Sequence, residues 1–181
     1  MAPPAGRFAG RPVTYGLLAG GALVLCSGFR PWFAPADGAY GTSSAGWDAG
    51  PAGRLALVLG LALTGGALLP LITRRVPVLS RGQDRFLGWA RRRHHGARGW
   101  EPARLTAALA VAVAGTAVVA TLIGWLTAPA MADPVLPAGG GPAIPGVARD
   151  GLFVGLAGTT VELVACVWAL RRAPMAGRAA G

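Results

Sequence analysis

Glu162 is the one acid near the centre of a long apolar run, Leu152 to Leu170, and is therefore the first place to look for chemistry. A carboxylate at mid-bilayer costs roughly 3 kcal/mol on insertion scales, and the nine Leu, Val and Phe residues of the run return about 4. With so thin a margin, Glu162 is expected to face protein or water rather than lipid, and to carry a proton there. Around it, Gly155, Gly158, Thr159, Cys166 and Ala169 recur at helical spacing and form one small, polar stripe suited to packing against a neighbouring helix. The first apolar run offers a matching surface in Gly16 and Gly20, a GxxxG pair, with Ser27 further along. Two roles follow for Glu162: a structural hydrogen bond to a hydroxyl or carbonyl on another helix, or coupling to a proton or substrate. The structural role is preferred, because a lone acid without His, Lys or a second carboxylate is a poor relay.

The remaining reactive residue types form no recognisable site. Cys26 and Cys166 each lie in apolar surroundings and make no CxxC pair, which excludes a disulfide framework and a cysteine zinc site. In Leu23-Val24-Leu25-Cys26 a bulky Leu25 stands where a bacterial lipoprotein signal needs a small residue, so lipidation at Cys26 is not expected. His94 and His95 stand in a basic run with no Cys or carboxylate set beside them, as in a solvated loop rather than a metal site. Asp37, Asp48, Asp133 and Asp150 form no catalytic pair, and Gly139 to Gly141 follow no strand and precede no Lys, which rules out a phosphate loop. No nucleophile has a base, and no cofactor signature occurs, so the chain is read as a non-enzyme without a cofactor or metal.

The elements that would position these residues are membrane spans. More than half of the 181 residues are apolar and 13% are charged, a membrane composition. Four windows approach the roughly 20 apolar residues that a bilayer core requires: Val13 to Phe29, Leu55 to Thr73, Leu105 to Ala128 and Leu152 to Leu170. The first could be a cleaved signal sequence, but Arg30, Trp32 and Phe33 crowd the cleavage region and suit an interface anchor better. Pro70 is expected to bend the second span by freeing the carbonyl of Gly66.

Arginine placement sets the orientation. All 17 basic residues are Arg, and 14 fall in the first segment, the central loop and the tail, against Arg30, Arg54 and Arg149 in the two other loops. The positive-inside rule then puts both termini in the cytoplasm, and the net charge of +10 is an orientation signal rather than a nucleic-acid footprint. The predicted organisation is a cytoplasmic segment 1–12, a transmembrane hairpin 13–75 with outer loop 30–54, a cytoplasmic loop 76–104, a second hairpin 105–172 with outer loop 129–150, and a cytoplasmic tail 173–181. An ungapped offset of 97 superposes Leu55 on Leu152 and Arg74-Arg75 on Arg171-Arg172, which fits either a duplicated hairpin or the general likeness of apolar spans stopped by arginines.

The loops divide by chemistry. Ser80-Arg81-Gly82-Gln83 resembles a capping box opening a short interfacial helix, with Arg85, Arg91, Arg92 and Arg93 placed to meet anionic headgroups of the inner leaflet. An acidic cytosolic partner is the other reading of that segment. The first outer loop holds Trp32, Trp47 and Asp48, which either fold over the helix ends or contact a partner. The second outer loop, rich in Gly and Pro, reads as flexible coil.

The order Arg30-Pro31-Trp32-Phe33 at the exit of the first span, followed by Ala45-Gly46-Trp47-Asp48-Ala49-Gly50 and an Ala/Leu/Gly span, resembles small four-helix membrane proteins of actinobacteria. That group includes the tryptophan-biosynthesis-associated membrane proteins. The likeness covers residues 12 to 75, the second half departs from it, and it transfers no catalytic residue. The fold expected is all-α, a polytopic four-transmembrane-helix bundle. Its expected role is an accessory or assembly subunit that packs with itself or another membrane protein. A small carrier using Glu162 is the alternative.

Overall fold

The computed structural model describes residues 11–35, 43–73, 102–128, 130–131 and 144–173. Within them the chain forms four helices, α1 (Arg11–Gly28), α2 (Gly50–Thr73), α3 (Pro102–Leu126) and α4 (Asp150–Arg172). Proline opens the first three: Pro12, Pro51 and Pro102 lie at first-turn positions, where a missing N–H breaks no helical bond. In α4, Asp150 in the first turn and Arg171 and Arg172 in the last complement the helix dipole. Each helix runs through the apolar window predicted for it and begins two to five residues earlier, while α1 and α3 stop at Gly28 and Leu126, just short of the predicted ends Phe29 and Ala128.

The helices form a ring in which each packs on its sequence neighbours, and α4 closes the ring on α1 through the most extensive contact of the bundle. Across the ring, α2 and α4 also touch. Buried positions recur at alternating steps of three and four residues: Leu17, Gly20, Val24 and Ser27 on α1, Ala114, Ala117, Thr121 and Gly124 on α3, and Leu152, Gly155, Thr159, Glu162 and Cys166 on α4. A three-four alternation is a seven-residue repeat, the pattern that keeps one seam of each helix facing its partner.

What fills the seam is unusual for a water-soluble bundle. Beside Leu17, Val24 and Leu152, small and hydroxyl residues such as Gly20, Ser27, Ala114, Ala117, Thr121 and Thr159 take most of the seam, whereas Leu25, Phe29, Val58, Ile123, Leu126 and Val164 are exposed on the outside. In water, leaving so many large apolar side chains exposed would weaken the hydrophobic drive that holds bundles together. In lipid it is the expected one, since helix association there depends on close backbone approach. By length and hydropathy α2, α3 and α4 can cross a membrane, and α1 is a shorter apolar helix.

The all-α expectation needs one correction. The loops 30–54 and 129–150, the second of them expected to be flexible coil, contribute strands β1 (Pro31–Pro35), β2 (Ser44–Ala45), β3 (Ala130–Met131) and β4 (Ile144–Ala148). They assemble as an antiparallel sheet in the order β2-β1-β4-β3. The central pair joins the two halves of the chain, with Phe33 opposite Ala148 and Pro35 opposite Gly146, and the Arg149 N–H donates to the Trp32 carbonyl at 2.8 Å. Prolines hid these strands: Pro31 and Pro35 bound β1 and Pro145 lies in β4, and proline within an apolar run argues against a strand. Exchanging the two hairpins would map β1 onto β3 and β2 onto β4, and the observed order does not obey that exchange. The sheet therefore lends no support to a duplication.

Outside the sheet, Arg30 and Asp150 form an ion pair at 2.6 Å with both side chains more than half exposed. Solvent screens such a pair, so Asp150→Asn is expected to change stability by less than about 1 kcal/mol, measured by thermal unfolding in detergent.

Candidate functional site

The residues around Glu162 converge from three helices. Glu162 is fully buried at the middle of α4. Its Oε1 is 3.0 Å from the hydroxyl of Thr64 on α2, and that hydroxyl is 3.2 Å from the carbonyl oxygen of Leu17 on α1. The second carboxyl oxygen, Oε2, is buried without a hydrogen-bond partner and faces Gly60 of α2, where Val24 of α1 also packs. Thus the sequence-predicted placement, acid toward protein, holds in the fold.

Glycines make this convergence physically possible. A Cβ at Gly20 would stand 2.6 Å from Glu162 Cγ and 2.8 Å from the Gly158 carbonyl oxygen, and a Cβ at Gly158 would stand 2.8 Å from the Gly20 carbonyl oxygen. Backbone thus meets backbone at the crossing of α1 and α4. Gly16 and Gly155 extend the same contact, toward Ala165 and toward Ser27 respectively. Thr159 and Cys166 are buried beside Glu162 on α4, but the Thr159 hydroxyl donates within its own helix, to the carbonyl of Gly155 or of Leu156, each 3.1 Å away. Thr159 therefore satisfies itself and leaves Thr64 as the hydroxyl that reaches the acid.

Thr64 and Gly60 were not singled out in the sequence. A signal existed: Thr64 is the only hydroxyl residue between Leu55 and Ile72, and a central hydroxyl in one span is the natural partner for a central acid in another.

A second convergence lies at the sheet end. Trp32 is completely buried, and its indole N–H donates to the Ser27 carbonyl at 2.9 Å. Its ring fills a space made by glycines: Cβ atoms placed at Gly46 or Gly155 would come within 2.5 and 3.1 Å of it, and Gly53 and Gly124 also border it. Phe33, Leu57, Ala120 and Leu152 complete this cluster, so residues from all four helices and the sheet meet around one indole. A surface contact for Trp32 does not fit this placement, because the ring is enclosed by its own chain. Trp47 is half-buried against Gly28, its carbonyl accepts a 2.7 Å bond from the Arg54 guanidinium, and Asp48 is exposed. Arg85, Arg91, Arg92, Arg93, His94 and His95, with the predicted interfacial helix, lie outside the described residues.

No known protein family, curated protein or solved structure matches this chain.

Proposed function

We propose that this protein is an integral membrane protein of the cytoplasmic membrane, crossing it four times with both termini cytoplasmic, and that it serves as a non-enzymatic accessory or assembly subunit. The observation that carries the reading is the apolar outer surface, with Leu25, Phe29, Val58, Ile123, Leu126 and Val164 exposed while Ala, Gly, Ser and Thr share the buried seams with Leu and Val. Lipid is the solvent that accommodates such a surface. The backbone contact between Gly20 and Gly158 leaves no room for a substrate between α1 and α4, which favours a packing role over transport. The arginine-rich segment supports the orientation, and its Arg85, Arg91, Arg92 and Arg93 suit the anionic inner leaflet. Partners of this type are a second copy or another membrane protein.

Two measurements test the proposal. Single cysteines in the central 76–104 segment are expected to resist a membrane-impermeant thiol reagent in intact cells and to react after permeabilisation; labelling in intact cells would refute the orientation. Crosslinking in cells is expected to trap a dimer or a heteromeric complex, and recovery of monomer alone would count against the assembly role.

A carrier is the second reading, favoured by the unpartnered Oε2 of Glu162. It requires Glu162→Gln to abolish a transport phenotype that deletion of the gene also abolishes.

A further inference from the structure

Hydrogen counting at Thr64 assigns a proton to Glu162. A threonine hydroxyl carries one hydrogen and can also accept. Here it stands within bonding distance of two oxygens, the Leu17 carbonyl and Glu162 Oε1, and the carbonyl can only accept. If Thr64 donates to Leu17, the contact with Glu162 is a hydrogen bond only when the carboxyl supplies the hydrogen. If Thr64 instead donates to an ionised carboxylate, the tie to α1 is lost. The charge would then be held by one hydrogen bond, with Oε2 buried and bare beside Val24 and Gly60. A bare neutral carbonyl is far less costly there than half of a buried charge.

The surroundings offer no counter-ion among the described residues. The arginines of the four helices stand near the helix ends, Tyr15 and Cys26 of α1 are exposed, and α2 and α3 bring no acid or histidine. Cys166, one turn along α4, is the titratable neighbour, and a thiol gives the carboxylate no positive partner.

We infer that Glu162 is a proton-binding latch, in which the neutral acid donates to Thr64 and Thr64 donates to the Leu17 carbonyl, tying α4 to α2 and α2 to α1. Loss of the proton to solvent breaks the acid O–H bond and turns the Thr64 hydroxyl toward the carboxylate. The Leu17 tie is released, and α1 separates from α2 at mid-helix. The occupant of the site is a proton. This deepens the membrane reading above and rests on it, since a bilayer is what makes an exchange of one hydrogen bond for a charge decisive.

The test uses the full chain in lipid vesicles. Infrared titration reads the carbonyl stretch of a neutral carboxylic acid. Spin labels at positions 15 and 62, both exposed, read the separation of α1 from α2 in a Cys26→Ser background, with the buried Cys166 unlabelled. The wild type is expected to show the neutral-acid band, and to lose it on raising the pH over the same interval in which the label separation broadens. Glu162→Gln, whose amide still donates to Thr64, is expected to lack the band and to keep one narrow separation at every pH. Thr64→Ser is expected to follow the wild type, and Thr64→Val to be broad throughout. A folded wild type with no neutral-acid band, a band that disappears without any change in separation, or a Glu162→Gln protein that broadens like the wild type would each overturn the latch. Vesicle flotation separates the two ideas. A chain that floats but shows no band removes the latch alone. One that stays out of the vesicles removes the membrane reading, and the latch that rests on it falls with it.

Discussion

Trp32→Ala is expected to be among the most destabilising single substitutions in this protein, costing about 3–5 kcal/mol. The ring is completely buried and is the common packing partner of residues from all four helices and the sheet. Its removal leaves a void bordered by Gly46, Gly53, Gly124 and Gly155, which have no side chains to swing into it. The Ser27 carbonyl also loses its indole donor, although it keeps the Arg30 N–H at 3.1 Å. Phe at the same position is expected to recover most of the packing and none of the hydrogen bond. Thermal or denaturant unfolding in mild detergent checks the series, and an alanine variant within 1 kcal/mol of wild type by order of magnitude would contradict the buried hub.

At the other convergence, Gly158→Ala is expected to cost roughly 1–3 kcal/mol, and larger side chains more. The added methyl would press against the Gly20 carbonyl oxygen at 2.8 Å and the Val24 nitrogen at 2.9 Å, both backbone atoms that move only if α1 moves as a body. The same substitution elsewhere supplies the control. Gly65 and Gly66 on α2 have nothing within 4 Å of a new Cβ, and there alanine should be neutral or stabilising by up to about 1 kcal/mol through its better helix propensity. Comparing melting temperatures of the three alanine variants therefore distinguishes close helix packing from a general intolerance of substitution. Equal effects at positions 65, 66 and 158 would remove the claim that α1 and α4 meet through glycine.

These two substitutions mark different limits of what can be read from a chain. Glycine at 20, 155 and 158 is visible as a small-residue pattern before any fold is known, since lipid-embedded helices associate through such residues. Trp32 was visible only as an aromatic beside a span end. The interface explanation for such a tryptophan is general. Here the strand that follows α1 carries the ring back over the bundle instead.

Hydropathy alone determined that there are four apolar helices and roughly where each runs, because their length and composition are local properties of the chain. It also determined that Glu162 must turn inward, because a mid-helix acid has no comfortable place in lipid. Tertiary structure decided everything that depends on which helices are neighbours. It chose Thr64 over the nearer Thr159 as partner of the acid, since Thr159 closes onto its own helix while Thr64 faces α4 from across the ring. It also joined β1 to β4, two short segments more than a hundred residues apart. Neither segment has enough strand propensity to announce itself, and each gains its backbone partners only when the helices bring the two loops to the same end of the bundle.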